Sequence, residues 1–248
     1  MIGRLSLLVG LVCCFWQSVD EARAQALVAD LSKHLVAVTT GFVGTDLLLF
    51  GATNGEGDVV VVVRGPERRD IVRRKERVAG IWVNRQQFPF SEIPSFYSVA
   101  SSRPLQEIAD PPLLARHQIG LQYLRFNPGE VAPEAVTASF RNALIRNKQS
   151  LGVFHDRLGK VRFVAPRLFR TDVHLPSNVP TGTYTVTVYL IRDGEVRSAQ
   201  TTPLVVSKIG IGARIFEFAH RHAAVYGVFA ILMALLAGWL AGVIFRKP

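Results

Sequence analysis

The chain has 248 residues and a formal charge of +10, and its only cysteines are Cys13 and Cys14. Both lie in an apolar run near the N-terminus that has the features of an export signal, so the mature chain would contain no thiol. A disulfide scaffold, a zinc site built on cysteines and a cysteine nucleophile are therefore excluded together.

Residues 1–24 are predicted to be a secretory signal. Arg4 supplies a positive n-region, an apolar stretch too short to span a membrane follows it, and Ala22-Arg23-Ala24 is a small-x-small cleavage site. We expect cleavage after Ala24 and export of residues 25–212 as a domain.

The exported part is itself basic. Outside the signal and the C-terminal anchor, the chain has 24 basic and 17 acidic residues. A basic exported domain is attracted to anionic lipid headgroups, cell-wall polyanions or anionic solutes, and its compartment argues against nucleic acid as a partner. A well-solvated surface without a ligand explains the same composition.

Residues 34–102 are predicted to form successive β-strands separated by glycine-rich turns. The run Val59 to Val63 is β-branched throughout rather than alternating, which predicts a central strand covered on both faces. The predicted strands are HLVAVTT (34–40), TDLLLFGA (45–52), DVVVVVR (58–64), RVAGIWVN (77–84) and SFYSVASS (95–102).

A helical insertion is predicted at about 104–150. Apolar residues recur at helical spacing over 113–126 and again over 133–148, with a turn at Asn127-Pro128-Gly129 between the two helices. Such a pair would cover an edge or an end of the sheet.

Strands resume at Gly152 and complete the domain. The run TYTVTVYLI (183–191) alternates strictly, and Asp193-Gly194 predicts a hairpin turn into residues 195–207. About ten short strands at this spacing predict a mainly β fold, an immunoglobulin-like β-sandwich that carries the helical insertion.

The motifs tested for catalysis and phosphate or calcium binding are missing from the sequence. Asp172 and His174 share one face of a predicted strand, and His155-Asp156 lies nearby in sequence, but a metal site needs at least three converging ligands. We therefore expect no catalytic, cofactor-binding or metal-binding residue, and a protein that is not an enzyme.

The densest charge cluster, residues 64–77, has a net charge of +4. It has two interpretations: an anion-binding or lipid-facing patch, or a solvated edge strand whose charges deter edge-to-edge pairing. The candidate patch consists of Arg64, Arg68, Arg69, Arg73, Arg74, Lys75 and Arg77.

The run from Ala223 to Phe245 has no charged residue, and as a helix its length of about 34 Å is enough to cross a bilayer. With an exported N-terminus, it would cross inward and leave a tail of three residues in the cytoplasm. Residues 213–248 would thus be a juxtamembrane and transmembrane unit.

Small residues recur every four positions in this span, which lets another helix approach closely. Self-association or docking onto a partner's helix is one interpretation of that stripe, and plain anchoring is the other. The candidate packing stripe consists of Ala230, Ala234, Gly238 and Gly242.

Three blocks, GFVGTDLLLFGATNGEGDVVVVVRGP (41–66), RRKERVAGIWVN (73–84) and PSFYSVASSRPL (94–105), resemble an alphaproteobacterial family of transmembrane proteins labelled Alph_Pro_TM. The resemblance extends over nearly the whole chain. It implies an exported domain on the cytoplasmic membrane of a Gram-negative bacterium, and it brings no catalytic residues with it.

The sequence therefore favours a periplasmic accessory or interaction module, held by one span in the inner membrane, for a membrane partner such as a transporter. A tethered binder of anions or cell-envelope polyanions, using the candidate patch, is the alternative. An anchored hydrolase is the least favoured, because it needs a pocket with converging polar groups.

Overall fold

A computed structural model describes residues 26–209 and 218–244. The predicted signal at 1–24 and its cleavage site therefore lie outside the described residues, as do 210–217 and the last four residues.

The described chain consists mainly of β-strands, as predicted, and a single long helix follows them. The strands are β1 (Leu27–Leu31), β2 (Leu35–Val38), β3 (Gly44–Thr53), β4 (Asp58–Arg64), β5 (Glu67–Val78), β6 (Ile81–Pro94), β7 (Tyr97–Ser101), β8 (Asn127–Pro128), β9 (Gly159–Lys160), β10 (Arg162–Ala165), β11 (Leu168–Pro176), β12 (Gly182–Arg192) and β13 (Glu195–Lys208). The helices are α1 (Leu105–Ile108), α2 (Pro111–His117), α3 (Glu134–Ser150) and α4 (Ala223–Ile244), with a 3-10 turn at Leu121–Tyr123.

The strands form three sheets in the described domain. One has the order β1-β3-β11-β10, a second has the order β2-β13-β12-β4-β7-β9, and the third is the long hairpin β5-β6 with the short β8 at its side. Pairing is antiparallel except between β2 and β13 and between β7 and β9. Buried side chains of the first two sheets belong to one apolar core.

Strand β4 is the centre of the six-stranded sheet. It lies between β12 and β7, and Val59 to Val63 are all at most 2% exposed, so the prediction of a strand covered on both faces is confirmed. The predicted turn at Asp193-Gly194 is confirmed as well, because both residues have positive φ, as the tight turn between β12 and β13 requires.

The predicted strand at 77–84 is wrong. The chain reverses at Ala79 and Gly80, which have φ of 50° and 87°, and the residues on either side pair as the end of hairpin β5–β6. The charged run that precedes them is strand β5 itself, at an edge of the third sheet, which agrees with the interpretation of this run as an edge strand.

The insertion also differs from its prediction. The first helix ends at His117 rather than near Phe126, because Gln118 takes the left-handed conformation and Gly120 has a φ of 107°. Asn127-Pro128 is not a turn but strand β8, which pairs with β6.

Tyr184, near the start of β12, is fully buried and its hydroxyl donates a hydrogen bond to the carbonyl of Pro180 at 2.6 Å. Replacing a buried donor removes the bond and leaves its acceptor unsatisfied. We therefore expect Tyr184→Phe to lower the free energy of unfolding by about 1 kcal/mol, measured by denaturant unfolding of the full chain in mild detergent.

Tyr123→Phe is the matched control, since the hydroxyl of Tyr123 makes no hydrogen bond within the described residues. Equal stability of the two variants would show that the Tyr184 hydrogen bond does not contribute to the fold.

Candidate functional site

The hairpin β5–β6 is a direct extension of the central pair β4–β7. The amide of Gly65 donates to the carbonyl of Phe96 at 2.8 Å, and the amide of Ser95 donates to that of Pro66 at 2.9 Å. These two bonds join the ladder that ends at Arg64 and Tyr97 to the ladder that begins at Glu67 and Pro94. The hairpin is therefore held in the middle of the six-stranded sheet by continuous backbone pairing.

Aromatic side chains fix the base of the hairpin. Phe88 and Phe90 of β6 are buried, with ring centroids 4.9 Å apart, and Phe88 stacks on Phe140 of α3 at 5.5 Å. Lys148 of α3 forms an ion pair with Asp70 of β5. Helix α3 thus supports the base of the hairpin.

The distal half projects from this support. From Arg73 to Gln87, the residues are exposed apart from the half-buried Glu76. This segment contains five cationic side chains and one carboxylate, and the carboxylate of Glu76 is 3.6 Å from the guanidinium of Arg85. The projecting ribbon therefore has a strong positive charge.

Because side chains alternate between the two faces of a strand, the cations of β5 are divided between its faces. Arg73, Lys75 and Arg77 lie two residues apart on one face of β5, so their side chains form a basic stripe with a spacing of about 6.6 Å. Arg73 and Lys75 make no hydrogen bond or ion pair with any residue that the structure describes. Arg74 lies on the other face, where it donates to the hydroxyl of Ser139 at 2.8 Å and lies over the ring of Phe140.

The tip of the hairpin is apolar and exposed. Ile81 and Trp82 are 68% and 66% exposed, and Val78 and Val83 are 44% and 40% exposed. Large side chains at such exposure next to one another form an apolar patch, which commonly marks an interaction surface.

The structure brings together six of the seven predicted patch residues on β5 and separates the seventh. Arg64, at the end of β4, is half-buried and donates to the carbonyls of His117 at 2.6 Å and Gln118 at 3.2 Å. Arg68, at the base of the hairpin, donates to the carbonyl of Thr181. Arg64 is therefore part of the fold's internal bonding rather than of an exposed patch.

Tyr97 completes the arrangement around Arg64, and sequence reasoning gave it no role. Its buried hydroxyl donates to the carbonyl of Gln118 and accepts from the amide of Gly120, both at 2.8 Å, and burial raises its pKa to about 12. No sequence motif signals this contact, because its partners lie more than 20 residues away in a loop without a regular pattern.

The open groove between the distal hairpin and α3 has a volume of about 740 Å³. Arg74, Arg85, Phe88, Glu130 and Phe140 are among its lining residues. Its cations and its carboxylate face a broad opening, so it lacks the enclosure that substrate pockets have.

The structure brings the two polar pairs singled out in the sequence near each other through their histidines. Asp172 contacts Arg162, whereas His174 is 2.7 Å from Asp46, and the rings of His155 and His174 are 6.5 Å apart. Burial lowers the pKa of His155, with a further contribution from His174. Within 26–209 and 218–244, no three metal-ligating side chains converge.

Another charged group has a structural role at the opposite end of β4. Asp58 accepts hydrogen bonds from Arg103, with the guanidinium Nε at 2.9 Å, and from the hydroxyl of Ser102 at 2.9 Å. The Arg103 hydrogen bond is the main reason that the pKa of Asp58 lies below its usual value. This pair ties the end of β7 to the start of β4.

Helix α4 is exposed along its length, and its small residues lie together on one side. At 3.6 residues per turn, every glycine and alanine of the helix falls on one side, where Ile231 is the one larger residue among them. These small residues are Ala223, Ala224, Gly227, Ala230, Ala234, Ala237, Gly238, Ala241 and Gly242. The predicted stripe is thus part of a wider small-residue face.

Helix α4 is also the one described helix that is long and apolar enough to cross a membrane. A family model described as "Putative transmembrane protein (Alph_Pro_TM)" matches residues 26–247. The chain belongs to this family. The resemblance noted in the sequence is therefore confirmed, and Alph_Pro_TM membership agrees with a C-terminal span in α4.

The Alph_Pro_TM match includes both the β domain and the apolar helix, so the two belong together in this family. No curated protein and no solved structure matches the chain.

The packing of Phe140 against Phe88 predicts how the hairpin is held. Large-to-small substitution of a buried aromatic residue costs about 3–5 kcal/mol, and here the loss falls on the contact between α3 and the hairpin. We expect Phe140→Ala to speed tryptic cleavage after Arg73 and Arg74 and amide hydrogen exchange in β5 and β6.

Val136→Ala is the control, because Val136 lies on the same helix and lines the same groove but is 39% exposed. Unchanged cleavage and exchange in Phe140→Ala would mean that α3 does not support the hairpin.

Proposed function

We propose that this chain is a non-enzymatic accessory or interaction module of the bacterial inner membrane. Its β domain lies in the periplasm, and α4 crosses the membrane and packs against the transmembrane helix of a partner, such as a transporter, or of a second copy. The placement of the domain follows from the export signal that the sequence predicts at residues 1–24.

The single observation that carries this proposal is the small-residue face of α4. In lipid, helices associate through close van der Waals packing rather than through a hydrophobic driving force, and glycine and alanine allow their backbones to approach. A Cβ added at Gly227, Gly238 or Gly242 meets no atom of the residues that the structure describes within 4 Å, so these glycines are not needed for packing against that part of the protomer. Their segregation on one side is explained by a helix that docks there.

The fold of the β domain is consistent with its proposed role as an interaction module. The strand orders β1-β3-β11-β10 and β2-β13-β12-β4-β7, with β2 parallel to β13, support an immunoglobulin-like sandwich in which the hairpin and the helices are insertions. Tyr184 supports it further, because its hydroxyl returns to the backbone four residues upstream, as the tyrosine corner of such domains does.

A second candidate function, the tethered binding of anions, is favoured by the basic stripe of Arg73, Lys75 and Arg77. These three cations are exposed, and two of them have no partner among the described residues. An anion bound there would be held by surface electrostatics, so its affinity would fall with ionic strength.

Substitution at the centre of the small-residue face tests the first proposal. A leucine at position 238 prevents close approach of a second helix, so we expect Gly238→Leu to abolish the crosslinked species that the full chain forms in its own membrane. The measurement is crosslinking before extraction in a mild detergent, followed by affinity purification of the tagged chain.

Val243→Leu adds bulk on the opposite side of the same helix and should leave the crosslinked species unchanged. Recovery of free monomer alone from the unmodified chain would contradict the proposal, as would a crosslinked species that persists in Gly238→Leu.

A further inference from the structure

We propose that the tip of hairpin β5–β6 inserts into the headgroup region of an anionic bilayer, the same bilayer that α4 crosses. This inference rests on the proposed anchoring by α4. The ligands of the distal hairpin are then acidic phospholipids. The basic stripe contacts their phosphates, and the apolar tip lies deeper in the leaflet.

The first support is topological. Strand β12 is antiparallel to both β4 and β13, so β4 and β13 run in the same direction and end at the same end of the sheet. Beyond β4 the chain enters the hairpin, and beyond Lys208 of β13 it leads to α4. The hairpin therefore leaves the sheet at the end from which the anchor departs.

The length of the connection limits the distance between the sheet and the membrane. Nine residue steps join Ile209 to Phe218, and an extended chain covers at most about 30 Å in nine steps, however residues 210–217 are arranged; the five further steps to Ala223 add about 8 Å at a helical rise. The exposed part of the hairpin extends for about 20 Å. The length of the exposed hairpin is thus of the same order as the greatest distance that this connection allows between the sheet and the membrane.

The second support is the distribution of apolar side chains at the tip. Directly paired residues of an antiparallel ladder share a face, so Val78 and Ile81 lie on one face and Trp82 lies on the other, opposite Arg77. A groove on a protein would cover one face of the ribbon and leave the other in water. A bilayer surrounds the tip on both faces, and tryptophan is enriched at the headgroup level.

The turn itself keeps polar groups away from the tip. Two-residue turns with positive φ at both positions favour Asn or Asp before Gly, because their side chains bond to the local backbone. This hairpin has Ala79 at φ 50° in that place, so the turn has no polar side chain. A turn without a polar side chain is compatible with a position among lipid headgroups, where a charged or amide side chain is not needed to keep the tip in water.

The third support is charge complementarity. The basic stripe begins beside Trp82 and extends back along β5, at the depth where the phosphates of a leaflet would lie if Ile81 reached the acyl boundary. Each Lys or Arg near an anionic membrane surface contributes about 1 kcal/mol to binding, which is about a fivefold change in the equilibrium. A ribbon with two exposed strands is marginally stable in water, and lipid contact would stabilise it.

The test uses the full chain reconstituted in lipid nanodiscs, with a nitroxide at one position. Cys13→Ser and Cys14→Ser remove the native thiols, and Ile81→Cys places the label at the tip. Val28→Cys, at an exposed apolar position of β1 near the opposite end of the domain, where β4 begins, is the control. The readout is the ratio of collisions with oxygen, which concentrates in the bilayer, to collisions with a water-soluble nickel complex.

In nanodiscs that contain phosphatidylglycerol, we expect oxygen collisions to dominate at position 81 and nickel collisions to dominate at position 28. The triple variant Arg73→Gln, Lys75→Gln, Arg77→Gln should lower the ratio of inserted to exposed hairpin by about fivefold for each cation removed. Arg73→Lys with Arg77→Lys should retain insertion, since the charge is kept.

Nickel access at position 81 equal to that at position 28 would overturn the inference, as would insertion that is the same in phosphatidylcholine alone. Protection of position 81 from both reagents would also overturn it, because that result indicates a protein contact. In each of these cases the chain still enters the nanodisc, so anchoring by α4 stands. A chain that fails to enter nanodiscs would contradict both proposals.

Discussion

The pairing of β4 with β7 is the interaction on which the rest of the structure depends. Five consecutive valines of β4 are buried between β12 and β7, so this strand is fixed on both faces and both edges. Backbone hydrogen bonds carry the same pair past the end of the sheet into β5–β6. The charged hairpin, which would be only marginally stable in isolation, is thereby held in place by β4, the most buried strand of the domain.

The direction of the strands then relates the hairpin to the membrane helix. Because β4 and β13 are separated by the single antiparallel strand β12, both end at the same end of the sheet, where β4 leads into the basic ribbon and β13 leads toward α4. Membership of the Alph_Pro_TM family covers both segments. The proposed interaction module thus has two surfaces at one end, the small-residue face in the bilayer and the hairpin tip at its surface.

The features that could be predicted from the sequence are those set by interactions between residues close together in the chain. Val59 to Val63 and Asp193-Gly194 were predictable because β-branching and turn chemistry act locally. The reversal at Ala79-Gly80 is not predictable in the same way, since alanine is an unusual residue at positive φ and residues 77–84 have the composition of one continuous strand. The separation of Arg64 from the other patch residues depends on carbonyl groups more than 50 residues away, which no local pattern encodes.

Protease treatment of intact spheroplasts tests most directly whether the β domain is exported and held by α4. Trypsin added outside should digest residues 26–209, while a fragment that contains α4 stays in the membrane after an alkaline carbonate wash. A domain that becomes accessible only after lysis, or a chain that carbonate releases whole, would contradict the proposed topology.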